Sequence, residues 1–139
     1  MAAESITEPK IALRQMALAR DAMTAGWNIL WELENLGAAA LAMISARLPH
    51  GQFRSAEQCF APALELAART SKQFTILVHC DEPAGLVTEN AFVIFHCQWR
   101  GEAWRIFVRI RVIVKADGEP QTATELITTQ RVGFSGISN

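Results

Sequence analysis

From Gln73 onward apolar and polar residues alternate. The stretches QFTILVHC (73–80), NAFVIFHCQWR (90–100), AWRIFVRIRVIVK (103–115) and QTATELITTQRV (121–132) carry this pattern. Neighbouring side chains on a strand point to opposite faces, so this period predicts four consecutive antiparallel strands over about 73–134. Upstream the spacing differs. Thr7 can cap a helix with Glu8 and Pro9 in its first turn, and Ala12, Met16, Ala19 and Met23 then recur at helical intervals. WNILWELENLG (27–37) reads as a shorter helix with Trp27, Leu30 and Trp31 on one side and a glycine stop at Gly37. Ser55 and Gln58 form a capping box that opens a third helix to about Arg69, kinked at Pro62. Residues 38–48 are open to two readings: alanine favours helix, and a short apolar run between Gly37 and Pro49-His50-Gly51 equally suits a buried strand.

The expected architecture is α+β: N-terminal helices over about 8–70 packed on a C-terminal four-stranded antiparallel meander, in one domain spanning residues 1–139. Turn chemistry sets the register. With Gly101-Glu102 as a two-residue turn, Trp99 faces Trp104 and Cys97 faces Ile106. A three-residue connection with Gly118 in the left-handed position pairs Lys115 with Glu119 and Arg109 with Glu125.

The order of elements resembles the cone-shaped superfamily that includes nuclear transport factor 2, ketosteroid isomerases and polyketide cyclases. DAMTAGWNILWELENLG looks like its first-to-second-helix passage, and PHGQFRSAEQCF like its turn before the third helix. AFVIFHCQWRGEAWRIFVRIRVIVKADGE is similar to its central hairpin. The resemblance implies a curved sheet, a strand over 38–48, a small-ligand pocket between sheet and helices, and dimerisation through the outer face of the sheet. The isomerases' acid, base and hydroxyl would fall on Met43, Ile110 and near Ala19, none of which can move a proton, so isomerase chemistry is not implied.

Composition narrows the function classes. Half the residues are apolar, 19% are charged and the net charge is -1, which excludes a disordered chain and a generally basic nucleic-acid binder. Cys59, Cys80 and Cys97 lack paired spacing, so neither a disulfide framework nor a zinc site is expected, and no cofactor is implied. The N-terminus shows no signal-peptide pattern and LGAAALAMISA (36–46) is too short for a membrane span, so a soluble cytoplasmic protein is expected.

Two sets of residues carry candidate chemistry. Trp27, Trp31, Cys97, Trp99 and Trp104, with Thr124, Thr128 and Gln130 as orienting polar groups, could line a pocket for a flat apolar ligand or fill a core. Phe92, Arg105, Phe107, Arg109 and Arg111 share the opposite sheet face, where apolar residues mixed with arginine suit a homodimer or protein interface, or an anion site. His79-Cys80-Asp81 and His96-Cys97 place their members on alternate faces and do not converge. No catalytic set is evident, and the leading reading is a dimeric small-ligand-binding domain, an enzyme relative with lost or changed catalytic residues. The alternatives are a non-catalytic interaction or inhibitor module and a binder of nucleotides or other anions.

Overall fold

The computed structural model describes residues 7–132 and is built from eight β-strands, with no helix among the described residues. The strands are β1 (Ile11–Arg20), β2 (Trp27–Asn35), β3 (Leu41–Pro49), β4 (Phe53–Leu66), β5 (Ser71–Cys80), β6 (Val87–Trp99), β7 (Glu102–Val114) and β8 (Pro120–Arg131). They form a sheet in the order β1-β2-β5-β4-β3-β6-β7-β8, antiparallel throughout, curled into a nearly closed barrel. The α+β class, the helices over 8–70 and the likeness to the nuclear transport factor 2 cone are therefore overturned. The four-stranded meander is overturned with them: β5 pairs with β2 and β4, and β6 with β3, so of the four expected strands β6, β7 and β8 run consecutively and β5 lies apart from them. The spatial orders β6-β3-β4-β5 and β2-β5-β4-β3 are two overlapping Greek keys, which interlock the halves of the chain. Residues 133 and 134 of the expected sheet lie outside the described residues.

Bulges explain why three of the N-terminal strands look helical. In β1, Ile11 and Leu13 face inward, then the pairing with β2 shifts between Gln15 and Ala17, leaving Met16 extra and exposed. An extra residue converts a spacing of two into three and mimics a helical stripe. β3 shifts at Ile44 in the same way, so Leu41 and Met43 face inward before it and Ala46 and Leu48 after it. In β4 the partner of Met43 is Leu64 while that of Ser45 is Cys59, so Phe60–Ala63 form a broad bulge containing the cis Ala61–Pro62 bond. β2 has no bulge, and Trp27, Ile29, Trp31, Leu33 and Asn35 alternate inward without a break.

The hairpin registers follow from backbone sign. Arg100 and Gly101 both have positive φ (52° and 76°), the requirement of a type I′ turn, so Trp99 pairs with Glu102 and Cys97 with Trp104. This register lies two residues from the expected one, and a shift of two preserves the faces. At the β7–β8 turn Gly118 has φ 89° and Val114 pairs with Pro120, as the three-residue connection requires, until a bulge between Arg109 and Ile110.

The interior is filled by apolar side chains from all eight strands, among them Trp31, Phe53, Phe95, Ile106 and Ile110, each under 2% exposed. Burial of each such side chain contributes about 1.5–3 kcal/mol. Edge-to-face pairs order the aromatics: Trp99 with Trp104 at 5.8 Å, Phe74 with Phe95 at 6.0 Å, and Phe60 with Phe74 at 5.4 Å, which covers the stretch where β4 parts from β5.

Side chains close the remaining seams. β1 meets β8 through the Gln15 amide, whose nitrogen donates to Pro120 O (3.1 Å) and whose oxygen accepts from Thr122 N (2.9 Å), the two contacts a peptide rung would make. Thr124 adds a hydrogen bond to Leu13 O at 2.8 Å. Buried Asn35 pins the crossover from β2 to β3: its amide nitrogen donates to Ala39 O (2.9 Å) and Leu66 O (3.1 Å), and its oxygen accepts from Gly37 N (2.9 Å).

Candidate functional site

The barrel turns its apolar side inward, so its outer wall is the surface available for recognition. The aromatic set expected to line a pocket is the core itself: Trp27, Trp31, Cys97, Trp99 and Trp104 are all at most 7% exposed and pack on one another or on neighbouring strands. The expected space between sheet and helices does not exist, because residues 8–70 form no helix and the sheet's concave side is filled by its own side chains. Thr124 lies at the β1–β8 seam, while Thr128 and Gln130 pair with outward-facing Phe107 and Arg105. The β8 bulge moves them there: Ile127 and Thr129, not Thr128 and Gln130, continue the inward side. A cleft of about 380 Å³ opens beside the start of β1, lined in part by Glu8, Lys10, Leu36 and Ile127. Glu8 accepts from Thr129 and pairs with Lys10, interactions that hold its carboxyl below the ordinary value.

The arginine row occupies the outside of β3, β6, β7 and β8. Cross-strand pairing arranges it in levels. Ser45, His96, Arg105 and Gln130 form the first, Arg47, Ile94, Phe107 and Thr128 the second, and Phe92, Arg109 and Leu126 the third. Ile94 faces outward yet is only 7% exposed, and Phe92 and Phe107 are half-buried, so this wall carries apolar surface between its charges. Leu126 is 48% exposed at its edge.

The charges divide into two zones. Arg109 Nε lies 4.0 Å from Glu125 Oε1, Arg111 Nε lies 3.8 Å from Glu89 Oε2, and Lys115 Nζ lies 3.7 Å from Glu119 Oε1. The sequence-expected pairs of Arg109 with Glu125 and Lys115 with Glu119 are thus present, at ion-pair rather than hydrogen-bond distance. Arg105, His96 and Arg47 have no carboxylate within 4.0 Å among the described residues. The Nε atoms of Arg105 and Arg109 are shut off from solvent with no hydrogen-bond partner, so the exposure these side chains retain lies elsewhere along them. On the β4 side, Glu57 accepts from Ser45 Oγ at 2.6 Å, which brings a carboxylate to the first level.

Arg47 and His96 belong to this face as well. Arg47 lies in the segment whose element type the sequence leaves open, whereas strand alternation alone puts His96 on the arginine side, opposite Phe107 in the expected register and beside Arg105 in the observed one. Elsewhere, His79 and Cys80 end β5, Arg54 pairs with Asp81 at 2.7 Å, and burial together with the Glu82 and Asp81 charges raises the Cys80 thiol. Among the described residues no three histidine, cysteine or acidic side chains gather as a metal site would require. No helix of the described residues is long and apolar enough to cross a membrane. No protein-family model matches the chain, and no curated protein matches it either.

Proposed function

We propose that the chain is a single-domain, water-facing protein-interaction module that associates with a second copy of itself through the outer wall of β3, β6, β7 and β8. The observation that carries this reading is the mixed character of that wall: Ile94, Phe92 and Phe107 lie among Arg105, Arg109 and Arg111. Aromatic residues and arginine are enriched at protein contacts, whereas a purely solvated wall has no use for large apolar side chains. The patch also contains both signs of charge, Glu89 and Glu125 beside Arg111 and Arg109, which suits a self-complementary contact. An apolar inside with a charged outside is the reverse of a membrane-spanning barrel, which supports a water-facing protein. Three unbridged thiols, Cys59, Cys80 and Cys97, suit a reducing compartment such as the cytoplasm.

Sedimentation equilibrium across a concentration series tests the reading, with Phe107→Asp as the variant. The wild type is expected to approach twice its chain mass and Phe107→Asp to stay at one. A wild type that remains monomeric throughout would refute self-association.

A further inference from the structure

The wall's strands stand in the order β3-β6-β7-β8, and a two-fold contact must lay this wall onto itself. With strands kept aligned, as packed sheets prefer, two directions of axis do so. An axis across the strands lays β7 on β7. Arg105, Arg109, Arg111 and Lys115 project outward along β7 and its end, so this axis stacks a row of cations on itself, which charge repulsion opposes. An axis parallel to the strands, midway between β6 and β7, lays β6 on β7 and β3 on β8. Each outward residue of the β6–β7 hairpin then comes over the partner's copy of its own cross-strand neighbour. Those neighbours are matched: Ile94 stands beside Phe107, Phe92 beside Arg109 and Val87 beside Ile113, while Glu89 pairs with Arg111.

We infer that two copies pack these walls face to face about this second axis, the one parallel to the strands between β6 and β7. Phe107 then comes over the partner's Ile94, Arg109 over the partner's Phe92, Arg111 over the partner's Glu89 and Ile113 over the partner's Val87, each contact made twice. Sheets stacked face to face stand about 10 Å apart, a gap that arginine and glutamate side chains span together. Within one chain Arg111 Nε lies 3.8 Å from Glu89 Oε2, too far for a hydrogen bond. In the pair of copies these groups become two cations and two carboxylates alternating in sign. The same stacking covers Val87 and Ile113, 42% and 39% exposed in the single chain. On the flanks Arg47 comes over the partner's Thr128, which carries no charge. Basic groups face each other at the first level, where Arg105 comes over the partner's His96, near one end of the contact.

This inference rests on the self-association reading above, and a charge-exchange experiment at Arg111 and Glu89 separates the two. Arg111→Glu alone gathers four carboxylates at that level of the dimer, and Glu89→Arg alone gathers four cations. In an equimolar mixture a chain with only cations there meets a chain with only carboxylates, so both contacts between copies are opposite in sign. Each variant alone is expected to dissociate at least about tenfold more readily than wild type in sedimentation equilibrium, and the mixture to recover to within about threefold. A dimeric wild type whose two variants are not weakened, or are weakened but not rescued by mixing, would overturn this axis while leaving the interface standing. A monomeric wild type would overturn both. Thermal unfolding of each variant checks folding, and if either charge reversal fails to fold, Arg111→Gln and Glu89→Gln replace them. For these the double variant is expected to weaken dimerisation no more than the stronger single one, and additive losses would refute the contact.

Discussion

Replacing Asn35 by leucine tests how the barrel is tied together at its crossover. The residue is 1% exposed, and its amide makes two good donated bonds, to Ala39 O and Leu66 O, and accepts one from Gly37 N. A third donor contact, to Ala67 O at 3.4 Å, is too long to add much. Leucine has nearly the same shape but offers no partner, so three backbone groups lose their bonds at about 1 kcal/mol each. The added apolar burial offsets roughly 0.5–1 kcal/mol, leaving a net loss of about 2–2.5 kcal/mol. For a chain of this length that lowers the thermal midpoint by roughly 7–9 °C. Urea unfolding followed by tryptophan fluorescence measures the loss directly, because Trp31 lies on the same strand. Asn35→Asp should be worse than Asn35→Leu near neutral pH, since a carboxylate would face the Leu66 and Ala39 carbonyls. A leucine variant within about 0.5 kcal/mol of wild type would refute the claim that Asn35 pins the crossover.

Three further outcomes are expected. Gly26→Ala should destabilise the β1–β2 hairpin end by about 1–3 kcal/mol, because an added Cβ would come within 2.9 Å of Val78 O on β5; unchanged urea unfolding would count against that close approach. With a thiol reagent on the native protein, exposed Cys59 should react first and Cys80 slowly, while Cys97, pushed up to about 12 by burial, should react only on unfolding; three equal rates would contradict the placement. Hydrogen bonds from Thr24 and Asn28 hold the Asp21 carboxyl below its ordinary value, so its contribution is present above the unfolded-state value and lost as pH falls through the folded one. Asp21→Asn should therefore flatten the acid side of the stability profile, and an unchanged slope there would refute the assignment.

How far the sequence could be read depends on where strand alternation is interrupted. β5 to β8 carry long regular alternation of β-branched and aromatic residues, and their extents were legible. The Lys115–Glu119 pair was legible too, because the Gly118 turn fixes the register on its side of the bulge; past it Arg109 pairs with Leu126, and Glu125 meets Arg109 only as the bulge residue beside it. In β1, β3 and β4 the bulges at Met16, Ile44 and Phe60–Ala63 break the period, and alanine-rich composition then makes helix look better than strand. β2 was the exception: Trp27, Ile29, Trp31 and Leu33 alternate perfectly, but Leu30 on the outer side completed a false helical stripe beside Trp27 and Trp31. Tertiary burial overrode local propensity throughout this half of the chain. The arginine face was legible on β7 because one strand supplies most of it. Arg47 needed the β3–β6 pairing, a long-range contact that no local pattern encodes, whereas His96 follows from the β6–β7 hairpin.

The central claim, that the outer wall of β3, β6, β7 and β8 is where two copies meet, is tested most directly by methyl NMR with a soluble paramagnetic probe at low and high protein concentration. At high concentration the Leu126 methyls, 48% exposed in the single chain, should lose probe contact, while Leu30 and Leu77, outward-facing on β2 and β5 across the barrel, keep theirs. Unchanged probe contact at Leu126, or loss confined to Leu30 and Leu77, would contradict the account.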